Sequence, residues 1–207
     1  MPKKQFWIKR HINDPYVKEA QRLGYASRAA FKLSDIQKRD KIFKPGMTVI
    51  DLGAAPGGWS QVASHCVGKT GRIIAIDLLP IKTIQNTTSI QGDLNDNHIL
   101  QQLQSVLHGK KVDVIISDLS PNLSGQKAID LPKSIHLLEM VLDTAHRFLK
   151  PGGTLLMKVF QGAGLDEFML NLKLYFSGVK YRKPGASRPE STERYVLAID
   201  FHDEYNR

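Results

Sequence analysis

Val49-Ile50-Asp51-Leu52-Gly53-Ala54-Ala55-Pro56-Gly57-Gly58-Trp59-Ser60 decides how this chain folds. An apolar run from Met47 to Ile50 ends in an acid, and a glycine-rich turn leads into a helix-forming segment. That is the strand–turn–helix start of a ligand site in an open α/β sheet. The glycines at 53, 57 and 58 do not spell the G-x-G-x-x-G dinucleotide fingerprint, and no Gly-Lys-Ser/Thr ending makes a phosphate loop. The plain alternative is a tight turn between a buried strand and its helix.

Downstream, strand-like and helix-like segments alternate. Strands are expected at Thr48–Asp51, Arg72–Asp77, Val112–Asp118, Thr154–Phe160, Gly178–Tyr181 and Arg194–Phe201, with a weak one near Ser89–Gln91. Helices are expected at Gly58–Val67, Asp96–Leu107, Pro132–Leu149 and Asp166–Phe176. Lys150-Pro151-Gly152-Gly153 reads as a break before a strand, and 121–131 as an irregular loop able to move over the site. Such alternation implies an α/β fold, a mainly parallel sheet with helices on both faces. Upstream, residues 1–13 read as a basic arm. Asp14–Leu23 reads as a helix closed by Gly24, and a second helix, capped by Ser27, runs to about Lys38. Residues 1–44 are read as part of the same domain as 45–207.

A length of 207 residues suits one domain, and 42% hydrophobic with 24% charged residues is ordinary globular composition. The single cysteine, Cys66, forms no internal disulfide, which fits a reducing cytoplasm. No apolar run has the length of a membrane span, the N-terminus lacks a signal-peptide core, and Cys and His show no metal-ligand spacing. Of the net charge of +9, most sits in residues 1–44, which hold twelve Lys and Arg against four Asp and Glu. Such a block suits a polyphosphate partner, and the interleaved Phe6, Trp7, Tyr16 and Tyr25 can stack on unpaired bases. The alternative is a solvated tail.

Three apolar runs stop at Asp51, Asp77 and Asp118. Ligands of open α/β sheets bind outside the carboxyl ends of the strands, so these acids share one edge. An acid turn without a phosphate-binding lysine suits a cationic, hydroxyl-bearing ligand such as S-adenosylmethionine (SAM). Asp77 is placed to hold ribose hydroxyls and Asp93 to reach an adenine amino group; Asp93 can equally cap a helix, and Trp59 can equally be core. Lys158 stands inside the apolar strand Leu155–Phe160. A buried ammonium is costly unless paired or neutral, and a lysine that gives up its proton serves as a general base. The alternative is a lysine snorkelling from an edge strand. Lys32 and Glu193 are unremarkable by themselves.

Taken in order, Ser27–Leu33, Asp51–Ser60, Ser117-Asp118 with Pro121-Asn122, Lys158–Gly162 and Ser187–Glu193 closely resemble the RlmE/FtsJ family of SAM-dependent RNA 2′-O-methyltransferases, from about residue 14 to 201. The resemblance implies a Rossmann-like methyltransferase domain with a seven-stranded sheet, SAM as cofactor, and a uridine of 23S ribosomal RNA in the large subunit as substrate. It implies a catalytic tetrad at Lys32, Asp118, Lys158 and Glu193, and cofactor contacts at Gly57, Trp59, Asp77, Asp93 and Asp118. In Arg188–Glu193, Glu193 is chosen over Glu190 because it directly precedes a strand. Lys158 is expected as base, with Lys32 acting on it by like-charge repulsion. A monomer is the expected state. Competing readings are a tRNA or mRNA-cap 2′-O-methyltransferase, a non-catalytic ribosome-assembly factor that keeps the fold, and, weakest, a nicotinamide-dependent dehydrogenase.

Overall fold

A computed structural model describes residues 14–122, 124–188 and 191–202. The basic arm 1–13, with Phe6 and Trp7, and Glu190 lie outside the described residues.

Seven strands form one sheet: β1 (Thr48–Leu52), β2 (Arg72–Asp77), β3 (Thr87–Gln91), β4 (Val112–Ser117), β5 (Leu149–Phe160), β6 (Phe176–Arg182) and β7 (Glu193–Phe201). Their order is β3-β2-β1-β4-β5-β7-β6. All neighbours pair in parallel except where β7 runs antiparallel between β5 and β6. The central strands are apolar at nearly every position because both faces are covered. Alternation sends Val49, Ile73 and Leu156 to the face covered by α2 (Ala29–Asp40) and α3 (Gly58–Val67). Ile50, Ile74 and Leu155 face α4 (Asn97–Leu107), α5 (Lys127–Phe148) and α6 (Leu165–Tyr175).

The short α1 (Pro15–Arg22) starts where Asp14 accepts the Tyr16 N–H at 3.0 Å and Pro15 opens the first turn. Asp14 also pairs with Arg28, whose guanidinium donates to the Ala186 carbonyl, so the prelude is fastened to the loop before β7. On α2, Ala30, Leu33 and Ile36 share one buried face, and burying Leu33 or Ile36 contributes about 1.5–3 kcal/mol each. Arg182 grips Asp40 with two hydrogen bonds of 2.6 and 2.7 Å, tying the end of α2 to the edge strand β6. Tyr16 and Tyr25 pack on Phe31, with ring centroids 5.5 and 5.8 Å away.

Several local expectations change. Ser27 does not cap α2: the helix begins after Arg28 without a side-chain cap, and the Ser27 hydroxyl lies against Gly58, where a Cβ would sit 2.6 Å from it. Lys150–Gly153 is a register shift inside β5 rather than a break, since Leu149 pairs with Val112 and Thr154 with Val114. The segment 121–131 already carries helix: α5 starts at Lys127, ahead of Pro132. The Asp130 carboxylate in its first turn accepts the Ser124 and Gly125 N–H groups at 2.8 and 2.9 Å, and so holds the preceding turn in place. Lys158 is not on an edge strand, because β5 lies between β4 and β7.

Candidate active site

The carboxyl ends of β1, β2, β4 and β5 bring the expected acids and Lys158 to one edge. Strand alternation then sorts them. Leu156 and Lys158 of β5 and Tyr195 and Leu197 of β7 point to the α2/α3 face, and Lys158 and Tyr195 are cross-strand partners. Glu193, two residues before Tyr195, shares that side, and Lys32 approaches from α2.

The four side chains meet as two ion pairs. Lys158 is 8% exposed; its Nζ donates to the Asp118 carbonyl at 2.8 Å and stands 3.2 Å from Asp118 Oδ1. Lys32 Nζ donates to Glu193 Oε1 at 2.6 Å, and the Ser187 hydroxyl donates to the same oxygen at 3.1 Å. Burial of Glu193 opposes its ionisation, but Lys32, with Lys158 and Ser187, outweighs it and holds the carboxyl below its usual range. Each lysine therefore has its own carboxylate, which screens the like charge expected between them. Sequence reasoning missed the residue that joins the pairs. The hydroxyl of Tyr195 donates to Asp118 Oδ1 at 2.9 Å and accepts from Lys32 Nζ at 3.2 Å. The signal was present, an aromatic with a polar tip two residues after Glu193, but an aromatic in a strand reads first as packing.

Along the rest of the edge, Asp51 is wholly buried. Its Oδ2 accepts from the Ser60 hydroxyl at 2.6 Å, and its Oδ1 has no partner among the described residues. Burial pushes its carboxyl up to about 7, against the Ser60 hydrogen bond and helped by the negative charges of Asp118 and Asp77. Asp77 accepts the Ala55 N–H on Oδ2 at 2.9 Å and the Leu79 N–H on Oδ1 at 2.8 Å, which orients its carboxylate and leaves further lone pairs for hydroxyls. Asp93 is exposed and accepts from Asn95, while α4 is capped by Asp96, which takes the His98 N–H at 2.8 Å. Asp93 is thus not the helix cap. Gly57 closes the first turn at φ 113°, and a Cβ there would come within 2.8 Å of Ile84 Cδ1. Trp59 is core by its side chain: buried, stacked near Tyr195 with centroids 5.5 Å apart, and donating its indole N–H to the Ala29 carbonyl at 2.9 Å.

This edge fits SAM on its own chemistry. It offers an oriented carboxylate at Asp77 for vicinal hydroxyls and a second carboxylate at Asp118 for a cationic group, and beneath them a buried Asp51 oxygen has no partner among the described residues. Among the described residues no cluster of His, Cys, Asp and Glu could hold a metal ion, and no helix is long and apolar enough to cross a membrane. A groove of about 520 Å³ beside Gln104, Lys111 and Arg147 lies at the amino ends of β4 and β5, away from these residues.

Known proteins resemble the chain in sequence and in fold. The profile of the FtsJ-like methyltransferase family matches residues 25–201. The ribosomal RNA large subunit methyltransferase E of Coxiella burnetii (strain CbuK_Q154) is 52% identical over 199 residues, covering 94% of each chain. Its namesake from Pseudomonas fluorescens is 49% identical over 195 residues, covering 94% of this chain and 93% of that one. Among solved structures, one described as a ribosomal RNA methyltransferase from Plasmodium falciparum superposes with a TM-score of 0.77 at 27% identity, covering 86% of this chain and 98% of that chain. Fibrillarin from Aeropyrum pernix, solved with bound SAM, superposes at 0.58 with 16% identity over 83% of this chain and 74% of its own, a likeness of fold.

Proposed function

The chain belongs to the FtsJ-like methyltransferase family, and on that premise we propose that it transfers a methyl group from SAM to the ribose 2′-hydroxyl of a uridine in 23S RNA of the large ribosomal subunit. The observation that carries the reading is the Lys158–Asp118 pair at 3.2 Å on the sheet edge shared with Asp51 and Asp77. A proton-accepting amine then stands beside the place where a cofactor fits.

When bound, SAM supplies an electrophilic methyl on a sulfonium. The protein's part is to hold the ribose oxygen in line with that methyl and to take the hydroxyl proton. Lys158 is the base: once it has released its own proton to solvent, its Nζ accepts the hydroxyl proton. Asp118 aims that amine through its carbonyl and carboxylate. Glu193 anchors Lys32 on the opposite side, with Lys32 available to an RNA phosphate. Gly57, Asp77, Asp93 and Asp118, with the main chain at Trp59, are the proposed cofactor contacts. The protein is proposed to act as a cytoplasmic monomer.

The RNA partner has a separate test. Residues 1–13 contribute four Lys and Arg. Removing them is expected to weaken ribosomal RNA binding and flatten its log–log salt dependence by up to about 3, since each neutralised phosphate contributes about 0.7–0.9 to the slope. An unchanged slope would place the footprint elsewhere.

Substrate class is tested by transferring label from radiolabelled SAM to purified large-subunit RNA, intact large subunits and tRNA. Label in the large-subunit RNA supports the reading. Label in tRNA alone moves the substrate, and no label on any RNA with SAM still bound favours a non-catalytic assembly factor.

A further inference from the structure

We infer that Tyr195 is a positioning residue of the methyl-transfer site, its hydroxyl joining the two lysine–carboxylate pairs into one network and holding Asp118 for Lys158. The inference rests on the reading of Lys158 as the base.

Tyr195 has no exposed surface. A buried hydroxyl needs partners, and these are both catalytic candidates: it donates to Asp118 Oδ1 at 2.9 Å and accepts from Lys32 Nζ at 3.2 Å. The phenol stays protonated, because burial first and the charges of Asp118 and Glu193 next push its ionisation well above the usual tyrosine range. The Lys32 ammonium can only donate to this hydroxyl and the Asp118 carboxylate can only accept from it, so the chain runs from Lys32 through Tyr195 to Asp118. Its ring is clamped by Trp59 at 5.5 Å, and the Lys32 ammonium stands 5.6 Å from the ring centroid. Pairing with Lys158 across β5 and β7 fixes the register of both side chains.

Asp118 Oδ1 thus receives hydrogen bonds from Tyr195 and charge from Lys158 on the same oxygen. The groups that meet Lys158 are Asp118 beyond β4, Glu193, whose ionised carboxyl its charge favours, its cross-strand partner Tyr195 from β7, and the Phe160 ring of its own strand, 5.7 Å from its Nζ. Removing the phenol's hydrogen bond leaves the charge of Asp118 Oδ1 to Lys158 and tightens that pair.

Tyr195→Phe keeps the ring and removes the oxygen. Single-turnover methyl transfer to large-subunit RNA at saturating SAM should fall about tenfold or more near neutral pH. SAM and RNA affinities should stay within twofold, and the lower limb of the pH–rate profile should move to higher pH. A rate within twofold of wild type, or a loss with the limb unmoved, overturns the inference and leaves Tyr195 a packing residue. Should Tyr195→Phe not fold, 3-fluorotyrosine placed at 195 alone keeps the shape and makes the donor more acidic. The limb should then move to lower pH, and an unmoved limb overturns the inference. Wild-type protein run alongside separates the two claims, since its failure to methylate RNA counts against the proposed function and not against Tyr195.

Discussion

Lys158→Ala is expected to lower single-turnover methyl transfer by about 10²–10⁴-fold, the usual contribution of a positioned general base, while SAM affinity stays within a few-fold. The side chain is 8% exposed, with its Nζ held at 2.8 Å by the Asp118 carbonyl and 3.2 Å from the carboxylate, and Lys158 itself is not among the proposed cofactor contacts. The alanine variant alone does not separate a base from a fixed positive charge. Lys158→Arg does: a guanidinium keeps the pairing with Asp118 but remains protonated at any working pH. Both variants should be comparably inactive in a rapid-quench assay with preformed enzyme–RNA complex. Near-normal turnover by Lys158→Arg would mean that charge, and not proton acceptance, is what position 158 supplies.

Asp51→Asn should make the protein more stable relative to wild type as the pH rises. The folded protein holds a proton on Asp51 up to about pH 7, whereas the unfolded chain releases it near its ordinary 3.8. The folded-state value is raised, so stability is fully present below the unfolded value and is lost as pH climbs through the folded one. Between pH 5 and pH 8 the loss attributable to this group is about 3 kcal/mol. Asparagine stays neutral, its oxygen can still accept from Ser60, and its amide occupies the position of the unpartnered Oδ1. Other titrating groups are common to both proteins and cancel in the difference. Chemical unfolding at both pH values, without cofactor, should show the gap between variant and wild type widening in the variant's favour. Parallel stability curves would show that Asp51 carries no such proton.

The strands were legible because a buried parallel strand is a short apolar run, and here several of those runs stop at an acid. Asp51, Asp77 and Asp118 by themselves point to the sheet edge where the structure gathers them with Lys158, a residue charged where its neighbours are not. What did not show in the sequence depends on partners distant along the chain. Tyr195 meets Asp118 and Lys32 from 77 and 163 residues away, and no local pattern separates a packed ring from a hydrogen-bonding one. Trp59 reads in sequence either as core or as a neighbour of the cofactor, and only the fold brings its indole N–H to the Ala29 carbonyl. Lys150–Gly153 carries a proline and two glycines, the usual marks of a break, yet the neighbouring β4 keeps the strand going by shifting register across it. Pro132 reads in sequence as a helix start because proline is favoured in the first turn. The helix starts earlier because Asp130 gathers the N–H groups of the turn before it.

The most direct test of the account is where the methyl group goes. Large ribosomal subunits lacking the modification should be incubated with purified protein and SAM, and their 23S RNA digested to nucleosides for mass spectrometry. On the proposed reading, with Lys158 as base beside Asp118, the acceptor is a ribose hydroxyl, so the expected product is 2′-O-methyluridine, formed by wild type and absent with Lys158→Ala. A methyl group found on a base, or equal 2′-O-methyluridine from the Lys158→Ala protein, would contradict it.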